Sequence, residues 1–166
     1  ALEYLDDKTG FDQLSRSEIV LHGHHAYSYV NSLSSAMMAW LVDGSEKHLR
    51  AAQNAFAMLQ QQSYATGGWG PDEQLRAPQS DDLHASLTNT HHSFETPCGA
   101  YAHFKATRYV LRVTRDSRYG DSMERMMLNT VLGARPLEEN GHAFYYSDYN
   151  YNAERAYHAA RWPCCS

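Results

Sequence analysis

Residues 26–62 read AYSYVNSLSSAMMAWLVDGSEKHLRAAQNAFAMLQQQ, and this stretch decides the fold class. Apolar side chains recur every three or four positions in both halves, which is the pattern of helices that bury one face. The first stripe contains Val30, Leu33, Met37, Trp40 and Leu41, and the second contains Leu49, Ala52, Phe56 and Leu59. Gly44 is a candidate left-handed cap after Val42, and Ser45 is a candidate N-cap for a helix to about Gln62. The stretch therefore predicts an αα-hairpin.

A second hairpin is predicted further along the chain. One helix begins near Pro97, which suits a first turn, and runs to about Thr114. The next spans roughly residues 119–132 and ends at Gly133, and residues 142–146 are predicted as a strand. Between the hairpins, residues 64–94 lack periodicity, which favours a functional loop. Repeated αα-hairpins without a fixed repeat period favour an all-α fold, part of an (α/α)6 toroid, over a solenoid.

Composition excludes several classes of protein. The chain has 166 residues and a net charge of −5, with 14 Lys and Arg against 19 Asp and Glu, so we expect no nucleic-acid partner. No apolar stretch reaches the roughly 20 residues of a membrane span, so no membrane partner is expected. The chain starts at Ala1 and stops just after Cys164-Cys165. We therefore expect residues 1–166 to be a fragment of one catalytic barrel domain, with no targeting segment visible and the compartment open.

The three cysteines are the first candidates for chemistry. They are too few for a disulfide framework, but the adjacent Cys164 and Cys165 can bind one soft metal ion. Glu95 and Cys98 are three residues apart at a predicted helix start and can project to the same side. Three thiolates and one carboxylate suit tetrahedral Zn²⁺, and a metal-bound thiolate is also a nucleophile. The competing interpretation is a set of buried cysteines and a helix N-terminal charge.

Residues 64–73, YATGGWGPDE, form a glycine-rich segment that presents two carboxylates, Asp72 and Glu73. A carboxylic acid near Trp69 can act as a general acid, whereas the alternative is an ordinary solvated loop. The tyrosines and tryptophans suit stacking on sugars as well as a helical core. Two histidine clusters, His22-Gly23-His24-His25 and His91-His92, can bind a polar ligand, and the sequence does not rank them.

Taken together, these motifs resemble those of the β-L-arabinofuranosidases of glycoside hydrolase family 127 and the related family 146. The resemblance runs from about His22 to Ser166 and rests on the order of several short motifs. These are His25-Ala26, Tyr64-x-Thr66-Gly67-Gly68-x-Gly70 with its following Glu, Glu95-Thr96-Pro97-Cys98-Gly99-Ala100-Tyr101, Glu124-Arg125 through Asn129-x-Val131-Leu132, Phe144-Tyr145-Tyr146 and Cys164-Cys165.

The resemblance implies a retaining glycosidase. It implies zinc ligands Glu95, Cys98, Cys164 and Cys165, with Cys164 also the nucleophile. Glu73 would be the acid/base, and the adjacent Asp72 is the alternative candidate for that role. The residues expected to contact the sugar are His25, Tyr146 or Tyr145, and Trp69. The partner would be an arabinofuranoside-containing oligosaccharide or glycan.

The chain also departs from the family pattern. Its Glu-x-x-Cys has one residue more than the expected Glu-x-Cys, and the gap from Glu73 to Glu95 is long. The resemblance implies twelve barrel helices and a following β-sandwich, whereas only about four long helices are predicted here. The alternatives are a polysaccharide lyase or unsaturated-uronide hydrolase on a toroid, and a non-catalytic helical module with a structural zinc. A fragment can also lack activity even when its parent is an enzyme.

Overall fold

The computed structural model describes residue 6 and residues 9–134, 137–139 and 141–154. Its first hairpin follows a short helix, α1 (Phe11–Ser15), and consists of α2 (Ala26–Asp43) and α3 (Glu46–Gln60). Gly44 ends α2 in the left-handed conformation, with φ 67°, and its N–H donates to the Trp40 carbonyl, as predicted. Ser45 precedes α3, but its side chain makes no capping hydrogen bond. The predicted hairpin is therefore confirmed, and Ser45 occupies the predicted N-cap position without a side-chain hydrogen bond.

The segment between the hairpins has more structure than its sequence suggests. It contains a short 3₁₀ turn at Pro71–Glu73, helix α4 (Asp82–Asn89) and strand β1 (Phe94–Glu95). The one buried residue that α4 contains is the polar Ser86, so the helix has no apolar stripe from which the sequence could have predicted it. The interpretation of residues 64–94 as a loop without helix is corrected accordingly.

The second hairpin consists of α5 (Thr96–Thr114) and α6 (Ser117–Met126). Beyond α6 the chain continues as a π-helical turn, Met127–Val131, and a 3₁₀ turn, Leu132–Ala134. The predicted single helix over residues 119–132 therefore begins two residues earlier and changes its hydrogen-bond pattern at Met127. Strand β2 (Tyr146–Ser147) pairs antiparallel with β1, so that Glu95 lies opposite Tyr146. The predicted strand over residues 142–146 is wrong except for its last residue.

The core lies between the hairpins, where α2 packs against both α3 and α5. Val30, Leu33 and Met37 of the predicted stripe are buried, whereas Leu41 is 54% exposed and does not belong to the core. Buried alanines on facing helices allow close approach of the backbones: Ala36, Ala51, Ala52, Ala55, Ala102 and Ala106. The all-α prediction is confirmed, and the described helices are consistent with a segment of a toroid. Among the described residues, no helix combines the length and apolar character needed to cross a bilayer.

Candidate active site

The 3₁₀ turn that carries Glu73 has an unusual backbone. Gly70, Asp72 and Glu73 have φ of 71°, 55° and 59°, so two consecutive non-glycine residues are left-handed. Each such residue costs on the order of 1–3 kcal/mol, and surrounding contacts must hold it in place. A Cβ atom at Gly70 would lie 2.4 Å from the Ala26 Cβ. The turn therefore lies directly against the start of α2.

The Glu73 carboxylate is the centre of a polar cluster. Its Oε1 accepts hydrogen bonds from the hydroxyls of Tyr146 at 2.5 Å and Tyr145 at 3.2 Å. Its Oε2 lies 3.2 Å from Nε2 of His25, and the Glu73 side chain is 27% exposed. Four of the predicted site residues thus come together, from the start of α2, the 3₁₀ turn and the β2 region.

His25 is oriented by the helix that it caps. Its Nδ1 accepts a long hydrogen bond of 3.4 Å from the Ser28 backbone N–H. A neutral imidazole that accepts at Nδ1 carries its proton on Nε2, and this nitrogen faces Glu73. His25 also pairs through its backbone with Gln74, the residue after Glu73. The N-cap residue of α2 therefore presents an N–H donor to the Glu73 carboxylate.

Tyr146 remains a proton donor across the ordinary pH range. Burial raises the pKa of its phenol, and the hydrogen bond to the Glu73 carboxylate raises it further. One face of its ring stacks on His92, with ring centroids 4.0 Å apart and an interplanar angle of 15°. The Tyr146 hydroxyl is thereby held on Glu73.

Glu95 contacts the same Tyr145 hydroxyl as Glu73, and Cys98 follows Glu95 three residues later in the chain. Glu95 is 7% exposed at the junction of β1 and α5, and Cys98 is 6% exposed in the first turn of α5. The Tyr145 hydroxyl contacts Oε1 of Glu95 at 3.2 Å, as well as Glu73. A single hydroxyl thus connects the predicted acid/base to the predicted metal ligand.

Glu95 and Cys98 offer one carboxylate oxygen and one sulfur, which are donors that zinc accepts. The other two predicted ligands, Cys164 and Cys165, lie outside the described residues. Within the described part of the chain, no group of three or more His, Cys, Asp or Glu residues is arranged to hold a metal ion. The described residues therefore include two donors of the type that the zinc prediction needs, and the prediction itself stays untested by them.

Asp72 and Trp69 lie close to Glu73 in the sequence, but their side chains contact different residues. Asp72 accepts from Thr90 and Arg76, so its carboxylate is occupied away from the Glu73 cluster. Trp69 is 1% exposed, packs on Phe94 and donates its indole N–H to Nδ1 of His103 at 3.3 Å. Because a sugar needs an accessible ring face, the prediction that Trp69 contacts the sugar is corrected to a packing role.

The two predicted histidine clusters have different surroundings. His24 of the first cluster stacks on Tyr29, whereas His92 of the second stacks on Tyr146, which donates to Glu73. His91 Nδ1 contacts the buried carboxylate of Asp148 at 2.7 Å. The sequence pointed to the His91-His92 pair, but the partner Asp148 is 57 residues away and had no local signal.

One comparison with known proteins gives a match. A family model described as the β-L-arabinofuranosidase GH127 catalytic domain matches residues 2–166. A comparison with curated proteins gives no match. The matched range spans the Glu73 cluster, Glu95, Cys98 and the Cys164-Cys165 pair. The chain therefore belongs to the β-L-arabinofuranosidase GH127 catalytic-domain family of glycoside hydrolases, whose substrates are carbohydrates.

Proposed function

We propose that this chain carries the active site of a retaining β-L-arabinofuranosidase in which Glu73 is the acid/base and Cys164 the nucleophile. The observation that carries the proposal is the Glu73 carboxylate, which meets His25, Tyr145 and Tyr146 at a partly exposed position. A general acid needs this combination of fixed orientation and access to substrate. The neighbouring Asp72 lacks it, since Arg76 and Thr90 occupy its carboxylate.

The position of the Tyr145 hydroxyl between the carboxyl groups of Glu73 and Glu95 is evidence that one of them carries a proton or lies beside a cation. It has one proton but contacts oxygens of both Glu73 and Glu95. The second contact becomes favourable when one carboxyl is protonated and donates to the phenol oxygen, and a cation bound to Glu95 would weaken the repulsion between the oxygens. This arrangement suits an acid at Glu73 and a metal ligand at Glu95.

We propose Glu95, Cys98, Cys164 and Cys165 as the residues that hold zinc. When bound, the metal would keep the cysteine sulfurs as thiolates. The placement of Glu95 and Cys98 three residues apart at the start of α5 supports this assignment, because a carboxylate oxygen and a thiolate sulfur are both ligands that zinc accepts.

The reaction would then be a double displacement. In the first step the Cys164 sulfur forms a bond to the anomeric carbon, the glycosidic C–O bond breaks, and Glu73 gives its proton to the leaving oxygen. In the second step Glu73 takes a proton from water, whose oxygen replaces the sulfur at that carbon. His25 and Tyr146 hold the Glu73 carboxyl during both transfers, and the two inversions retain the anomeric configuration.

The experiment compares Glu73→Ala with the unchanged full-length protein on aryl and alkyl β-L-arabinofuranosides. Loss of the acid should lower hydrolysis of the alkyl glycoside about 10²–10⁴-fold, because a poor leaving group needs the proton most. Hydrolysis of a dinitrophenyl glycoside should fall far less at the bond-breaking step, and azide should trap the glycosyl-enzyme with retained configuration. Glu46→Ala, an exposed Glu in the first turn of α3, is the matched control. Unchanged alkyl-glycoside hydrolysis in Glu73→Ala would refute the acid/base assignment.

The nucleophile is tested by Cys164→Ser with zinc content measured alongside. Hydrolysis should be abolished in protein that still contains the metal. Undiminished hydrolysis by Cys164→Ser would refute the assignment of Cys164 as the nucleophile.

A further inference from the structure

The Asp72 carboxylate has partners on both of its oxygens. Oδ1 accepts from the Thr90 hydroxyl at 2.5 Å, and Oδ2 accepts from the Arg76 guanidinium at 3.0 Å. The same Arg76 nitrogen also donates to the Pro71 carbonyl at 3.1 Å. Asp72, Arg76 and Thr90 form what we call the Asp72 cluster, which joins both sides of the turn that carries Glu73.

The backbone of Asp72 is held as well as its side chain. Its N–H donates to the His92 carbonyl at 2.8 Å, and the Arg76 N–H donates to the side-chain oxygen of Gln62 at 2.7 Å. Gln62 is 1% exposed, so this second contact attaches the far end of the turn to the core. The left-handed pair of residues is thus fixed at both of its ends.

The Thr90–His92 segment is itself anchored beside the site. The Thr90 carbonyl accepts from the side-chain amide of Asn150 at 3.1 Å, and the Thr90 hydroxyl also accepts from the His92 N–H at 3.0 Å. The His92 ring stacks on Tyr146, the tyrosine that donates to Glu73. One short segment therefore contacts both the turn before Glu73 and the tyrosine in front of it.

We infer that Asp72 is a positioning residue, which acts through Thr90 and Arg76 to hold the Glu73 carboxyl against Tyr146 and His25. The inference rests on the proposed acid/base role of Glu73. Side-chain exposures of 45% for Asp72 and 24% for Arg76 argue against a large contribution to global stability, because exposed ion pairs contribute little. The cluster instead selects a strained local conformation, which is common at functional sites.

The test measures how hydrolysis depends on the leaving group in Asp72→Ala, Asp72→Asn and Thr90→Val of the full-length protein. A misplaced acid should lower kcat/KM for an alkyl β-L-arabinofuranoside about 10-fold or more, because small displacements of a catalytic group are costly. The dinitrophenyl glycoside should change less than about 3-fold at the same step. Asp72→Asn keeps an acceptor for Thr90 and should recover part of the loss. Asp121→Ala, an exposed Asp on α6, is the matched control.

Equal losses on both glycosides, or no loss in either Asp72 variant, would overturn the positioning role. A lowered thermal midpoint with an unchanged leaving-group dependence would also overturn it, because the cluster would then be structural alone. Glu73→Ala is measured in parallel to separate the two ideas. If Glu73→Ala is impaired and Asp72→Ala is not, this inference fails and the proposed function stands. If Glu73→Ala is unimpaired, both fail.

Discussion

His103 makes the stability of this protein sensitive to mild acid. Its imidazole is 1% exposed between α5 and α6, and burial lowers the pKa of its ring to about 4. Nδ1 accepts from the Trp69 indole, so the neutral ring carries its proton on Nε2 and donates to the Ser122 hydroxyl at 2.8 Å. The perturbation is to remove this titration with His103→Gln, which keeps one donor and one acceptor.

The magnitude follows from the two pKa values. In the unfolded chain His103 titrates near 6.5, so below that pH the unfolded state binds the proton first. The free energy of unfolding that His103 contributes is fully present above pH 6.5 and is lost as the pH falls toward 4. With a pKa of 6.5 in the unfolded chain and about 4 in the folded protein, the free energy of unfolding falls by about 2 kcal/mol at pH 5 and by about 3 kcal/mol at pH 4.

The assay is urea unfolding of the full-length protein between pH 7.5 and 4.5, followed by tryptophan fluorescence. His103→Gln should be less stable than the unchanged protein at pH 7.5, and the difference should shrink by about 2 kcal/mol at pH 5. His84→Gln, which replaces an exposed histidine on α4, is the matched control. A difference between His103→Gln and the unchanged protein that stays constant over this range would refute the reasoning.

Three further predictions concern packing, the site and the metal. Gly99→Ala should destabilise by about 1–3 kcal/mol in thermal unfolding, because its Cβ would lie 2.4 Å from the Phe94 ring, whereas Gly133→Ala, with open space around it, should be near neutral. Tyr146→Phe removes a donor from Glu73 and should lower kcat about 10-fold with little effect on KM; an unchanged kcat would contradict the role of that hydroxyl. Dialysis against a zinc chelator should abolish hydrolysis, with recovery on adding Zn²⁺, and full activity in metal-free protein would contradict the zinc proposal.

Helical periodicity predicted the hairpins well because the buried stripes are long. The boundaries of α2 and the Gly44 cap follow from local sequence alone. The short elements were not predicted because they have no long buried stripe. The two-residue strands and α4 depend on contacts with distant parts of the chain, which no local pattern encodes. Trp69 shows the same limit, because a tryptophan in a glycine-rich segment can face a ligand or the core, and only the partners Phe94 and His103 decide which.

Four members of the Glu73 cluster could be predicted from the sequence, whereas the contacts that connect them to the rest of the chain could not. Motif order pointed to His25, Glu73 and the tyrosine pair, and the fold brings these four together. The fixation of Glu73 was not predictable, because Thr90 lies 18 residues from Asp72 and has no distinguishing sequence context. Sequence spacing indicates which residues share a helix face, whereas contacts between loops follow from the packing of the whole chain.

The turn that carries Glu73 is held from two sides, and one of its contacts depends on the protonation of His103. On the surface side, the Asp72 carboxylate accepts from Arg76 and Thr90. On the core side, Trp69 precedes the turn and donates to His103, which is an acceptor only while neutral. An imidazolium has no acceptor nitrogen, so protonation of His103 removes the Trp69 contact, whereas the core contact between the Arg76 N–H and Gln62 does not involve His103. Protonation of His103 in the folded protein, near its lowered pKa of about 4, should therefore loosen the backbone before Gly70, and hydrolysis that depends on the placement of Glu73 should decline in that pH range.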